Sequence, residues 1–105
     1  MEPKSTQSQE MINTIKEIMI LIEHDYIGKE EYYYSFFERI LERLNKPHDL
    51  QKIAKDIMPI FGGMGTFNDL ILHQNEFSPL IEENRRFSKL KTELFLLCKQ
   101  VILEN

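Results

Sequence analysis

Residues that break helices or cross-link chains are scarce in this sequence of 105 residues, which has four prolines, four glycines and one cysteine. So few prolines and glycines leave room for long helices. The single cysteine, Cys98, excludes an intramolecular disulfide bond. It follows the apolar run of residues 94–97, which predicts a buried and unreactive thiol in a reducing compartment.

Long apolar runs are missing too. No stretch approaches the length of a membrane span, and the polar residues 1–9 contain no apolar core of a signal peptide. We therefore expect a cytoplasmic protein that does not bind membranes.

The sequence also lacks an extended cluster of positive charge. It has 17 acidic and 13 basic residues, a formal charge of −4, and eleven of the acidic and eight of the basic residues precede position 61. Nonspecific binding to nucleic acid requires a positive surface, so we do not expect nucleic acid as a partner. The short basic group Arg85, Arg86, Lys89 and Lys91 is the one feature that keeps this possibility open.

Signatures of catalysis and metal binding are missing as well. The G-x-S-x-G motif of a serine hydrolase does not occur, and no histidine belongs to a Glu-x-x-His motif. Adjacent residues on a helix point about 100° apart, so the pairs His24-Asp25 and His48-Asp49 are not expected to chelate one ion. We assign these residues and His73 to structural roles, mainly at helix ends, and predict no enzyme activity, no metal and no cofactor.

Apolar residues at helical spacing are what the sequence does have, and they predict an all-α fold. We expect a compact bundle of four to five helices, with a glycine-rich loop between the third and the fourth. The bundle forms a single domain of residues 10–105 behind a flexible segment of residues 1–9. The predicted helices cover about residues 10–28, 29–44, 47–58, 67–73 and 79–103.

Three helix boundaries have specific signals. Gly28 suits the position after a helix end, Pro47 the first residue of the third helix, and Ser78 followed by Pro79 the start of the last helical region. The polar residues 82–86 favour a break near 84–88, although one continuous helix over 79–103 stays open.

Aromatic residues are concentrated at the start of the second helix. Five rings occupy six positions, Tyr32, Tyr33, Tyr34, Phe36 and Phe37, and therefore surround the helix on all sides. At least one tyrosine is then expected at the surface or at a contact. Because aromatic residues are enriched in interfaces, Tyr32 and Tyr34 are candidate partner-binding residues.

The glycine-rich residues 61–70 read FGGMGTFNDL. Backbone amides before a helix are able to bind phosphate, but the lysine of a P-loop is missing and Asp69 would place a carboxylate at the positive end of the helix. Thr66 and Asp69 resemble a capping box for the predicted fourth helix. A tight structural turn and a phosphate-binding loop both stay open.

The same ten residues resemble the last ten positions of the signature F-x-G-G-M-G-[ST]-hydrophobic-N-D-L, which is typical of a family of small, largely uncharacterised bacterial proteins. Thr66 stands at the Ser/Thr position and Phe67 at the hydrophobic one, before Asn68, Asp69 and Leu70. In size and acidity these proteins are similar to immunity proteins of bacterial toxin systems. The resemblance implies a binding protein that neutralises a toxin.

The leading hypothesis is therefore a small non-catalytic protein-binding module, with a toxin as its partner. Two alternatives remain: a nucleotide- or phosphate-responsive domain that uses the glycine-rich loop, and a self-associating structural protein. The oligomeric state stays open. The predicted partner-binding residues are Tyr32, Tyr34, Gly63, Met64, Thr66, Asn68 and Asp69.

Overall fold

The computed structural model describes residues 3–62 and 66–104, with side chains from residue 6 onward. Four α-helices account for most of these residues, and the all-α prediction is confirmed. The helices are α1 (Pro3–His24), α2 (Tyr32–Leu44), α3 (Leu50–Ile57) and α4 (Ile81–Leu103). Single 3-10 turns lie at Gly28–Glu30, Met58–Phe61 and Phe67–Asp69, and a small antiparallel hairpin joins β1 (His73–Asn75) to β2 (Ser78–Pro79).

The two long helices, α1 and α4, run antiparallel and set the long axis of the molecule, each spanning about 33 to 35 Å. At one end the Gln7 amide of α1 donates to the Glu104 carboxylate just after α4, over 2.9 Å. Towards the other end Arg86 of α4 pairs with Glu17 of α1. Helix α3 packs on α4, and α2 packs on α1.

The core forms where the apolar stripes of the four helices meet, as their helical spacing predicts. Two fully buried residues, Phe67 and Leu72, come instead from the segment between α3 and α4. No helix among the described residues is long and apolar enough to cross a bilayer. The largest fully buried side chains are Phe37, Phe67, Phe87, Met11, Ile15, Ile18, Ile22, Ile53, Ile57, Leu72, Leu90 and Leu94.

Helix α1 begins at Pro3, seven residues before the predicted start at Glu10. Proline suits a first helical turn because its missing amide hydrogen has no partner there in any helix. Further along, the Ser8 hydroxyl lies 3.0 Å from Nε2 of His48, so polar contacts tie this early part of α1 to the rest of the molecule. Polar contacts of this kind are not visible as apolar spacing in the sequence, so the spacing did not predict this first part of α1.

The same helix ends at His24 rather than near Gly28. The Asp25 carboxylate accepts the backbone amide of Ile27 over 2.9 Å, a local bond that competes with helical geometry. Gly28 does have a left-handed φ of +59°, which favours glycine, but it starts the following 3-10 turn.

Helix α3 begins at Leu50 and not at Pro47. The Asp49 carboxylate accepts the backbone amides of Gln51 at 3.1 Å and Lys52 at 3.3 Å, which makes Asp49 the N-cap. An N-cap satisfies helix amides that have no internal partner, so the carboxylate and not the proline fixes this start.

The predicted helix over residues 67–73 is wrong: a single 3-10 turn is followed by extended chain and strand β1. Backbone amides here have partners outside the segment. Leu72 N donates to Asn84 Oδ1 at 2.8 Å, and His73 N donates to Asp25 Oδ1 at 2.6 Å. In a helix over residues 67–73 these two amides would instead donate to the carbonyls of residues 68 and 69. Ser78 and Pro79, predicted to open the last helix, form strand β2 instead.

Helix α4 is continuous, so the predicted break near residues 84–88 is also wrong. Its polar residues have partners that keep them on the helix. The Arg85 guanidinium binds Glu82 one turn earlier at 3.1 Å, and Arg86 reaches Glu17 on α1. Charged residues in this stretch therefore form ion pairs on the surface of a continuous helix, and the stretch does not mark a break.

Candidate interaction surface

Residues 61–72, which we call the corner, connect α3 to the hairpin and are anchored by Phe67. Its ring is fully buried and lies 5.1 to 5.8 Å from four other rings, mostly edge to face. Such aromatic pairs stabilise beyond the area they bury. Phe67, which belongs to the glycine-rich residues 61–70, is therefore part of the core of the bundle. The four surrounding rings belong to Tyr33, Phe37, Phe61 and Phe87.

A buried lysine on α4, Lys91, binds the backbone next to Phe67. Its amine donates to the carbonyls of Asn68 at 3.2 Å and Leu70 at 2.6 Å. The nitrogen also lies 4.5 Å from the centre of the Phe87 ring and 5.4 Å from that of Phe67, within range of cation–π attraction. Lys91 is 7 % exposed, and burial lowers its pKa to about 8 against the opposing influence of the Asp69 carboxylate.

A second side chain of α4, Asn84, holds the far end of the corner. Its amide oxygen accepts Leu72 N, and its amide nitrogen donates to Leu72 O and to Leu80 O, each at 2.8 Å. Asn84 at Leu72 N and Lys91 at Asn68 O thus bind two backbone groups that would pair with each other in the predicted helix.

A signal for both of these residues is present in the sequence. Asn84 and Lys91 fall on the apolar stripe of α4, since Lys91 lies four residues after Phe87 and three before Leu94. A polar residue at a core position requires an internal partner when it is buried. Charge alone placed Lys91 in a basic surface group, whereas its position on the stripe predicts a buried lysine.

The two tyrosines proposed for partner binding have different environments. Tyr32 is 63 % exposed, and its ring lies edge-on to Tyr33 at 5.0 Å, which in turn packs on Phe67. Tyr34 is only 8 % exposed, and its hydroxyl donates to the Glu23 carboxylate over 2.8 Å. This hydrogen bond raises the pKa of Tyr34 to about 12. Tyr34 joins α2 to α1 and does not form part of the accessible surface.

The polar residues of the motif remain at the surface of the corner. Asn68 and Asp69 are exposed and Thr66 is half-buried, all on the 3-10 turn or directly before it. The predicted contacts Gly63 and Met64 lie outside the described residues. Tyr32 is connected to this turn through the ring of Tyr33, which packs on Phe67. We call this part of the predicted set the rim: Tyr32, Thr66, Asn68 and Asp69.

The basic group suggested by the sequence does not form one patch. Lys91 is buried, Arg85 is paired with Glu82, and Arg86 with Glu17. An open groove of about 370 Å³ beside α4 has charges of both signs in its lining. Alternating charge of this kind does not provide the positive surface that phosphate-backbone binding uses. The groove is lined by Leu21, Glu82, Glu83, Arg85, Arg86 and Lys89.

The histidines and the cysteine have structural environments. His48 Nδ1 donates to the Lys46 carbonyl at 2.7 Å, and His73 Nδ1 to the Ile71 carbonyl at 3.0 Å. Cys98 is fully buried, as predicted, and burial raises the pKa of its thiol to about 12. Across residues 3–62 and 66–104 no group of three or more His, Cys, Asp or Glu side chains is arranged to hold a metal ion.

Comparison with known proteins gives one match. Residues 28–78 match the family described as a domain of unknown function, DUF6966. The matched region runs from the Gly28 turn through α2, α3 and the corner to the start of β2, so α4 lies beyond it. Comparisons with curated proteins and with solved structures find no match. Over about half of its length, the chain is similar to the DUF6966 family.

Proposed function

We propose that this protein is a small non-catalytic protein-binding module of the bacterial cytoplasm, and that it acts as an immunity protein by neutralising a toxin. The observation that carries the proposal is the rim, in which an exposed tyrosine ring and exposed polar side chains stand on a firmly held backbone. Tyrosine on such a platform is a frequent centre of protein interfaces.

The rim residues stand on backbone whose conformation is fixed in the folded chain. Binding a partner therefore costs these residues little conformational entropy. Phe67 and Lys91 already immobilise the turn that carries Asn68 and Asp69, and Tyr33 supports the ring of Tyr32. Ordering interface groups costs free energy on association, so a contact surface fixed during folding binds more tightly than a mobile one of equal area.

Buried reactive groups support a non-catalytic role, because in the described part of the chain they serve the fold. The Lys91 amine donates to backbone carbonyls, and the Asp25 carboxylate accepts backbone amides of Ile27 and His73. The Cys98 thiol has a raised pKa, which disfavours the nucleophilic thiolate.

The partner's expected character follows from the charge of the chain and from the resemblance of residues 61–70 to the bacterial family signature. A formal charge of −4 would attract a basic protein and accelerate its association, an effect that weakens as salt is added. We expect neither nucleic acid nor membranes among the partners.

The test is recovery of the partner from the native host with a tagged chain. A variant with Tyr32→Ser, Asn68→Ala and Asp69→Asn removes the rim, and Ser35→Ala with Glu42→Gln serves as a control on exposed positions of α2. We expect one basic protein to be recovered in a stoichiometric amount with the native chain and the control, and at least about tenfold less with the rim variant. The recovered protein should arrest growth when it is expressed without this chain.

Two results would overturn the proposal. One is repeated recovery of the chain alone from hosts that express it. The other is stabilisation of the purified chain by nucleotides or inorganic phosphate in a thermal-shift screen, with loss of the effect in Gly63→Val, which would favour the phosphate-responsive alternative.

A further inference from the structure

Beyond the rim, two segments meet at the end of the molecule where α1 ends and α4 begins. We call residues 23–31 together with residues 71–83 the hairpin end. Tyr26 N donates to His73 O at 2.9 Å, and His73 N donates to Asp25 Oδ1 at 2.6 Å, so the segment after α1 and strand β1 are bonded in both directions. The hairpin end is thus one connected surface.

Exposed apolar side chains are concentrated on this surface. Of the nine large hydrophobic residues that are exposed in the described chain, five lie within these 22 positions. Phe77, at the tip of the hairpin, is 88 % exposed and is the most exposed of all. Large exposed apolar patches on a monomer mark sites of interaction. The five residues are Tyr26, Ile27, Ile71, Phe77 and Ile81.

Two of these residues lie next to the bonded part of the hairpin. His73 is paired with Pro79, and Leu80 N donates to Leu72 O. Ile71 directly precedes Leu72 and Ile81 directly follows Leu80, so both exposed residues adjoin this backbone bond.

The hairpin end also carries more negative charge than the whole molecule. It holds seven carboxylates and one lysine, a formal charge of −6, while the complete chain carries −4. The remaining residues include ten acidic and twelve basic side chains. Arg85 neutralises Glu82 in part, over 3.1 Å. The charged residues are Glu23, Asp25, Glu30, Glu31, Glu76, Glu82, Glu83 and Lys29.

We propose that the hairpin end is the docking surface for a protein whose own contact patch is apolar at its centre and ringed by lysine and arginine. The inference rests on the proposed binding function and names the chemistry of the partner. Glu31 adjoins Tyr32, and Leu70 adjoins Ile71, so the surface continues directly into the rim. One partner is able to cover both.

Charge decides against the other occupants of an apolar patch. A second copy of this chain would bring two negatively charged surfaces face to face, even with Asp25 buried and Glu82 paired, and an anionic membrane would repel the same exposed carboxylates. A basic ring around an apolar centre instead gives charge complementarity, which speeds association and fixes orientation.

The test uses the purified chain labelled with ¹⁵N and a synthetic amphipathic helix of lysine and leucine as the probe. An otherwise identical peptide of glutamate and leucine is the charge control. We expect amide shifts confined to residues 23–31, 71–83 and the adjoining rim with the lysine peptide, weaker binding as salt rises, and no binding of the glutamate peptide.

Two variants locate the binding surface. Phe77→Ser combined with Ile81→Ser should weaken binding of the lysine peptide at least about tenfold. Leu103→Ser, whose leucine is 72 % exposed at the opposite end of α4, should leave binding unchanged. Both variants change exposed residues and are expected to fold.

Equal binding of both peptides, shifts centred elsewhere, dimer formation on concentration, or binding to phosphatidylglycerol vesicles would overturn the inference. Its failure is separable from failure of the proposed function. A host partner that is lost with the rim variant but retained by Phe77→Ser with Ile81→Ser would refute the docking surface and support the function. Absence of any host partner, together with specific binding of the lysine peptide, would support the docking surface and refute the proposed function.

Discussion

The corner and the hairpin end overlap at residues 71 and 72, yet they differ in the burial of their phenylalanines. Phe67 is fully buried among four rings, whereas Phe77, ten residues later, is 88 % exposed. Lys91 of α4 binds backbone carbonyls of the corner alone, at Asn68 and Leu70, whereas Asn84 binds Leu72, where the two segments overlap, and Leu80. The described residues of the glycine-rich stretch serve largely the fold, whereas the hairpin end carries five of the exposed large apolar side chains.

The largest expected effect is a difference in unfolding free energy between variants of Phe67 and variants of Phe77. We expect Phe67→Ala to lower the free energy of unfolding by about 3 to 5 kcal/mol, because it leaves a cavity between four rings. Phe77→Ala should stay within about 0.5 kcal/mol of the native chain. Urea unfolding followed by circular dichroism measures both. Equal losses from the two variants would remove the contrast between corner and hairpin end.

A smaller loss is expected from Lys91→Met, about 2 to 3 kcal/mol, because the carbonyls of Asn68 and Leu70 lose their buried donor. Lys99→Met, at an exposed position of the same helix, is the control and should have almost no effect. A Lys91→Met protein as stable as the control would show that these carbonyl bonds do not hold the corner.

The same lysine predicts a dependence on pH. Its pKa is about 8 in the folded chain against an ordinary value of 10.5, so between these values the unfolded chain binds more protons. The contribution of Lys91 to stability therefore rises with pH in this range, as the charge that burial disfavours is lost. We expect the difference in unfolding free energy between the native chain and Lys91→Met to be larger at pH 10 than at pH 7. A difference that shrinks with pH would contradict the assignment.

Asn84→Ala should cost about 1 to 2 kcal/mol, since it removes three hydrogen bonds, two of them to Leu72. Hydrogen exchange should show faster exchange of the Leu72 and Leu80 amides in this variant. Asn75→Ala removes a single exposed bond to Phe77 N and is the matched control from the hairpin end. Comparable losses from the two asparagine variants would mean that the buried bonds of Asn84 contribute no more to stability than the exposed bond at the hairpin tip.

The smallest effect concerns the buried tyrosine. Tyr34→Phe should cost about 1 kcal/mol at pH 7 through loss of the bond to Glu23. The folded pKa of about 12 lies above the ordinary value of 10, so this stabilisation is complete below pH 10 and is lost as the pH rises through 12. Tyr32→Phe, at an exposed ring, is the control. A larger loss of stability from Tyr32→Phe than from Tyr34→Phe would contradict the assignment of the stabilising hydrogen bond to Tyr34.

Sequence alone predicted the helical bundle because apolar spacing is a local property that each helix carries by itself. Residues such as Ile15, Ile53 and Leu94 are buried where their period places them. The path of residues 67–80 was not predictable in this way, since Lys91 and Asn84 act on backbone groups 12 to 23 positions away. The apolar stripe of α4 indicates that these two side chains are buried, but it does not indicate which backbone groups they bind.

The candidate site was predicted only in part for a related reason. Tyr32, Asn68 and Asp69 are exposed as a contact surface requires, but Tyr34 has the same local pattern and is buried. Which ring of a run of five faces the core depends on the neighbouring helix, here through Glu23 of α1. The apolar surface around Phe77 comes from segments 40 or more residues apart and has no contiguous signature.

The most direct test of the contrast between corner and hairpin end is an amide shift map of the ¹⁵N-labelled chain during titration with the lysine–leucine peptide. We expect the largest shifts at Tyr26, Ile71, Phe77 and Ile81 and smaller ones at the adjoining rim, while the amide of the buried Lys91 keeps its position. Shifts centred on the corner, with the hairpin end unchanged, would contradict the contrast.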